Sequence, residues 1–411
     1  MELSKFISTG IAEGWVRETG NSNIVRVDGQ NRDCAVYEVR IDRLHYNVQN
    51  GRIATFITRY KMEHGELPEG AEERDKLIED MIAADNPQRL KATRLDIKAK
   101  GQQEVAIILS NGIVVDGNRR FTCLRMLSRE EGTPRFLRCY VFPDTYDEKA
   151  IKGLELEIQL GRDEKVNYDA ISRLVDINTW VNNGPMTKEE YARCAGMKVS
   201  EMNKALREID ALNDFLELID APGAYHIAQD MKLQGTVESL ANKLLNCKDD
   251  DEREDLKIIV FSNVLTGNLG DRARAVRDLC DDAVESLRGD GEFADEQLEI
   301  AEQVLGKFEG RAENVPVSTE FIRDHVANDT ELKGEQKASC EKARMKAGNR
   351  KIKNGQVRSV RDAIGSLESV DVELLEKLVP EQLEDMGESL DQVLKLAADL
   401  KIKVEDAAAG R

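Results

Sequence analysis

The sequence predicts an α+β chain in which a small sheet-bearing N-terminal domain leads into a long helical remainder. Three observations carry this. Short β-branched runs bounded by turn residues recur as far as residue 142. Helical stretches separate those runs, which gives a layer of helices on a small sheet. From residue 166 onward the apolar residues recur at helical spacing instead.

Residues 1–35 show little periodicity beyond Ile24–Val27, a candidate strand followed by an Asp28-Gly29 turn. Tyr37, Val39 and Ile41 then alternate with Glu38 and Arg40, as on a half-buried strand, so a hairpin is expected. A polar loop, Leu44 to Ile53, follows and carries Arg52. It either closes over a ligand's phosphates or simply connects. His45 has no second histidine or cysteine near it, which makes it a surface or packing residue. Residues 54–84 read as helix broken around Gly65 to Gly70, with Leu77, Ile78, Met81 and Ile82 on one face. Asp85-Asn86-Pro87 stops that pattern, and Thr93 to Lys100 makes a short helix ended by Gly101.

The centre of the domain is a second hairpin. Val105–Leu109 and Val114-Val115 flank Ser110-Asn111-Gly112, and Asp116-Gly117 ends the second strand. A helix begins near Asn118, with Phe121, Leu124 and Leu127 at its spacing. Glycine at such a junction leaves the helix's first N–H groups open to anions, and Arg119 and Arg120 add planar cations suited to phosphate. The alternative is a structural turn whose arginines pair with acidic neighbours. Arg138–Phe142 is a further strand and Lys149–Leu160 a helix.

In the next region Ile171, Leu174, Val175 and Trp180 mark one helix. Thr187-Lys188-Glu189-Glu190 is a capping box opening another, which breaks at Ala195-Gly196-Met197. Ser200 is expected to cap a third, with Met202, Leu206 and Ile209 inward. Two short helices about a glycine turn match a helix-turn-helix that would offer Asn203, Lys204 and Arg207 to DNA, against Glu201 and Glu208. A plain helical hairpin that docks protein is the alternative. Beyond 230, Val237, Leu240, Leu244 and Leu245 form a stripe, and Ile258–Phe261 a buried run. Residues 333–361 are strongly basic, a footprint fit either for a phosphate backbone or for the acidic body of the chain. The leucine-bearing tail, interrupted by Pro380, reads as an acidic helical pair for docking or self-association, so a homodimer is among the expected states.

Composition narrows the classes. The chain has 411 residues, 41% hydrophobic and 33% charged, with a net charge of −19. That charge argues against a protein coated in nucleic acid or lying on anionic membrane, while leaving room for a local basic patch. Seven scattered cysteines without a C-x-x-C pair read as reduced thiols. Neither a membrane-spanning run nor a signal peptide is legible, so a soluble, cytoplasmic protein is expected. The expected division is 1–165, 166–230, 231–330 and 331–411.

The order of parts resembles the ParB/sulfiredoxin-like superfamily, and ParB-type partition proteins in particular. Asp116-Gly117-Asn118-Arg119-Arg120 resembles their phosphate motif. Asn47-Val48-Gln49-Asn50-Gly51-Arg52 is similar to the segment after their first strand. Leu95 to Gln103 resembles their preceding helix, and Thr187 to Ile209 their helix-turn-helix. The likeness covers residues 36–220. It implies a ParB/sulfiredoxin-like nucleotide-binding domain at 1–165 and a helix-turn-helix region at 166–230. It also implies binding of CTP or ATP with Mg2+, phosphates held by Gly117, Asn118, Arg119, Arg120 and Arg52, metal held by Glu157, and DNA as partner. Asn118 and Thr122 depart from the partition pattern, where glutamate and arginine stand. Asp116, Gly117, Arg120 and Thr122 resemble a second branch found in restriction and antiviral proteins. The resemblance therefore implies a nucleotide- and DNA-binding protein of DNA partition or mobile-element maintenance. Its alternatives are an NTPase or nuclease of a defence system, with Asp116 or Glu157 as base or metal ligand, and a non-catalytic scaffold.

Overall fold

The computed structural model describes residues 2–27, 30–160, 169–269, 272–312 and 315–410. It is an α+β chain with a mixed six-stranded sheet near the N-terminus and helices thereafter. Met1–Ala343 form one compact unit and Arg344–Arg411 a second.

Helix α1 (Leu3–Ala12) precedes a long hairpin of β1 (Val16–Val27) and β2 (Gln30–Arg40). The hairpin expected from Ile24–Ile41 is thus present but starts much earlier; its turn, Asp28-Gly29, lies outside the described residues. Strand β1 is exposed along most of its length and sits at the sheet edge, so its sequence shows no inward–outward alternation. Next come β3 (His45–Tyr46), α2 (Ala54–His64), α3 (Ala71–Asp85) and α4 (Pro87–Lys100). Asn86 both ends α3 and caps α4, its side chain accepting from the Arg89 N–H at 2.9 Å, and Pro87 occupies the first helical position. The helix expected from Thr93 therefore starts six residues earlier.

The central hairpin, β4 (Ala106–Leu109) and β5 (Ile113–Asp116), leads into α5 (Asn118–Glu131), then β6 (Phe136–Phe142) and α6 (Glu148–Leu160). The strand order is β1-β2-β6-β4-β5-β3, with β4 parallel to β6 and β3 parallel to β5. One sheet face packs against α3, α4 and α5 through Ile78, Ile82, Leu90, Phe121 and Leu127. The other takes α6 through Leu154 on Ile107, Leu109 and Val115. Buried Glu79 of α3 grips Arg125 at 2.8 Å and also Arg129, which fixes the roll of α5.

The helical part runs α7 (Ala170–Ile177), a π-turn (Asn178–Asn182), α8 (Lys188–Cys194), α9 (Val199–Leu218), α10 (Tyr225–Asp230), α11 (Gln234–Leu244), α12 (Asp250–Leu265), α13 (Arg272–Leu287), α14 (Glu292–Glu309), α15 (Thr319–Ile322), α16 (Thr330–Glu368) and α17 (Pro380–Ala409). The capping box forms as expected. Thr187 N–H donates to Glu190 at 2.9 Å, and Glu190 N–H donates to Thr187 Oγ1 at 3.2 Å. Ser200 does not cap: Lys198 is the N-cap and Ser200 lies inside α9. One apolar core runs from Ile171 to Cys340 and crosses the boundary expected at 230.

In the second unit, Pro380 opens α17 instead of breaking a helix, and none of the residues of α17 is buried. Among the described residues, no helix is long and apolar enough to cross a membrane.

Candidate phosphate site

Strand β5 delivers Asp116 and Gly117 to the start of α5. Gly117 has φ +95°, a left-handed conformation that L-residues avoid. A Cβ there would also stand 2.7 Å from the Ala106 Cβ, so angle and space both require glycine. The turn gives α5 no side-chain cap.

A cavity of about 320 Å³ opens at this helix start. Gly117, Asn118, Arg119 and Arg120 line it together with Arg52, so the fold brings together all five residues expected at phosphates. Helix α4 contributes Arg89, Thr93 and Asp96, and α6 contributes Glu155.

The arginines are not equivalent. Arg119 Nη2 and Arg52 Nη1 stand 3.6 and 3.9 Å from the same oxygen of Asp85, and each arginine side chain is 16% exposed. Burial, and then the Arg52 charge, pull Arg119 down to about 10, with Arg89 adding and Asp85 opposing. Burial likewise raises Asp85, against the pull of the two arginines. Arg120 is a brace: it donates to Glu104 at 2.9 Å and to Asp116 at 3.0 Å. Asn118 is buried, and its Oδ1 has no hydrogen-bond donor.

Arg52 is aimed by its own loop. Asn50 Oδ1 accepts from Arg52 N–H at 3.1 Å, closing a single 3-10 turn over Gly51–Ile53. A Cβ on Gly51 would lie 2.5 Å from Asp176 Oδ1 of α7, so only glycine lets the loop sit this close. Asp176 in turn accepts from Lys152 Nζ at 2.7 Å and from the Tyr191 hydroxyl at 2.6 Å. Lys152 also donates to Glu155 at 3.1 Å. Burial works against the Lys152 charge, but Asp176 and Glu155 more than offset it and hold the ammonium above its ordinary range. Burial raises Glu155, with Lys152 opposing.

Glu157 lies elsewhere. It lines a separate cavity of about 390 Å³ with Lys149, Glu190, Arg193 and Cys194. Two residues along a helix is a rotation of about 200°, so the carboxylate facing the phosphate residues is Glu155. Among the described residues no three His, Cys, Asp or Glu side chains group to hold a metal ion.

Cys123 belongs to the core, where burial pushes its thiol up to about 11. Thr122 meets the Tyr46 hydroxyl at 2.9 Å in the interior. An arginine at 122 would be buried there, away from the cavity.

The residues expected at DNA are partly committed. Lys204 pairs with Glu238 and, at 3.7 Å, with Glu208. Asn203 and Arg207 are half-buried, and Glu201, Asp210 and Glu217 are exposed on the same helix.

Sequence reading missed Arg89, Glu104 and Glu155 at the cavity, and Asp85 beside two of its arginines. Asn86-Pro87, read as a helix start as well as a stop, would have placed Arg89 in a first helical turn. Among known proteins, no family model matches this sequence and no curated protein does either.

Proposed function

We propose that this chain binds a nucleoside triphosphate, with its phosphates against the start of α5, as the resemblance to partition proteins implies. The observation that carries this reading is the crowding of Arg52, Arg89 and Arg119 in one half-buried cavity, where the charges of Arg52 and Arg89 both act on Arg119 and Asp85 stands by Arg52 and Arg119 alone. Like charges held together lower one another's proton affinity, and an anionic ligand offsets that repulsion. Helix N–H groups without a side-chain cap suit the same ligand.

Magnesium suits this wall. Mg2+ takes oxygen ligands, keeps several waters and is commonly held by one or two carboxylates plus phosphates. Asp116, Glu155 and the donor-free Asn118 Oδ1 are oxygen groups in or beside the cavity. They would hold the ion together with the nucleotide, and the ion would neutralise phosphate charge. Binding is better supported than catalysis, because Asp116, the candidate base, is engaged by Arg120.

DNA binding through α8, the turn and α9 has less support. The lysine of the proposed reading helix is ion-paired, and its exposed side chains include three carboxylates.

The test is binding of labelled CTP, ATP and GTP with magnesium to wild type and to the Arg52→Ala, Arg119→Ala double variant. We expect one nucleotide to bind at micromolar concentration and to weaken about 100-fold in the variant, two charge-assisted contacts of about 1.5 kcal/mol each. No binding at millimolar nucleotide, with or without DNA present, sinks the reading.

A further inference from the structure

We propose that α17 is a dimerisation helix, which pairs antiparallel with α17 of a second copy of this chain in a two-stranded coiled coil. The inference is independent of the nucleotide reading and uses neither the cavity nor α9.

Helix α17 runs from Pro380 to Ala409, about 45 Å at a rise of about 1.5 Å per residue, and none of its residues is buried. Its apolar residues follow a strict seven-residue repeat. Leu383, Leu390 and Val404 fall at the first position of successive heptads, with Ala397 completing the row. Met386, Val393 and Leu400 fall at the fourth position, and Ala407 completes that row. Four heptads apolar at both positions are the pattern of a coiled-coil seam, in which each helix fills the holes of another like itself. Leu394 and Leu396 flank the seam at its middle and widen it. All eight aspartates and glutamates of the helix stand at heptad positions away from the seam and its flanks. A helix that is only solvated has no reason to segregate its charges in this way.

A second copy covers this seam better than the chain itself does. Within the same compact unit, Val360, Ile364 and Leu367 of α16 are also exposed. They span about 10 Å of helix axis, against about 36 Å for the seam, so folding back onto them leaves most of the seam in water. Another α17 covers it from end to end. At roughly 80 Å² removed from water for each of eight large side chains per copy, a dimer buries about 1,300 Å², inside the range of about 1,200–2,000 Å² for stable interfaces.

Charge sets the direction. Residues 380–394 hold five acidic residues and no lysine or arginine, whereas residues 395–409 hold three lysines and three acidic residues. A parallel pair lays the two acidic halves side by side. An antiparallel pair lays each against the half that holds the lysines, which is the complementary arrangement. Side-chain size agrees. A fully overlapped antiparallel pair sets Leu383 against Ala407, Val393 against Ala397 and Leu390 against Leu400. A parallel pair stacks alanine on alanine in two layers and leaves gaps there.

The experiment is sedimentation equilibrium of the full chain, mass 46.1 kDa, across the micromolar range. Wild type is expected at twice that mass. Leu390→Glu with Leu400→Glu sets like charges against each other in the seam, and is expected to weaken the dimer at least ~100-fold. Ile402→Glu, off the seam on the same helix, is expected to leave the dimer intact. All three side chains are exposed in the single chain, so the rest of the fold does not rest on them. Direction is read from oxidative crosslinking, with wild type as the blank. Leu383→Cys and a tagged Ala407→Cys are expected to crosslink to each other when mixed, and neither to itself. The proposal is overturned if wild type has the mass of one chain or of more than two. It is equally overturned if the double glutamate variant keeps the wild-type dissociation constant, or if Ile402→Glu alone separates the copies. Failure of the mixture to crosslink, or crosslinking of either cysteine variant with itself, overturns the antiparallel pair.

Discussion

Lys152 and Lys204 each meet two carboxylates, yet they stand at opposite limits of burial. The Lys152 side chain is 1% exposed between Glu155 and Asp176, both nearly inaccessible to water. The Lys204 side chain is 42% exposed between Glu208 and Glu238. Arg120 lies between these limits, its own side chain 11% exposed between Asp116 and Glu104. One arrangement of charges is thus repeated in three solvents. Where water is excluded, removing the cation leaves buried anions that water cannot screen. Where water is present, it takes the cation's place.

Variants at the three positions test that ordering directly. Lys152→Met is expected to have the largest effect, a loss of about 3–5 kcal/mol in urea unfolding, because Glu155 and Asp176 are left buried together. A loss below about 1.5 kcal/mol would show that the two carboxylates share a proton without strain, and the comparison would fail. Arg120→Gln comes next at about 2 kcal/mol, through lost hydrogen bonds between charged groups; restoring stability with Asp116→Asn in the same chain would sharpen the assignment to that pair. Lys204→Gln is expected to change stability by less than about 1 kcal/mol, as exposed pairs do. A larger change would mean that the pair on α9 and α11 is shielded from water.

Much of the sheet domain was legible because its signals are local. The central hairpin announced itself through Asn111-Gly112 between β-branched runs, and α8 through Thr187 and Glu190. The α2–α3 break fell between Gly65 and Gly70 as expected. Only the end of strand β1, Ile24–Val27, was legible, since an edge strand exposed along most of its length needs no apolar alternation. Strand β3, only His45–Tyr46, is too short to carry a period and forms because β5 offers it an edge.

At the site, Gly117 and Arg119 could be read from their own neighbours in sequence. Glu155 could not. Its role depends on Asp176, 21 residues on in α7, and a charged residue in a helix ordinarily reads as solvated. Glu157 was the nearer match in sequence, but the rotation of α6 decided between them. The N-cap of α9 at Lys198 in place of Ser200 shows a similar limit, since the Glu201 carboxylate, which accepts from the Lys198 N–H at 3.2 Å, and not the Ser200 hydroxyl, holds that helix end.

The contact between Gly51 and Asp176 has a thermal meaning. The loop that aims Arg52 rests on the carboxylate that neutralises Lys152, and that carboxylate sits on the first helix of the helical core. A molecule that melted only its helices would strip the ammonium of a partner while α6 still held it against the sheet. Such a half-melted state is penalised at the seam itself. The sheet and the helices up to Ala343 therefore have reason to give way together, as a single heat-absorption peak, although they pack around separate apolar cores.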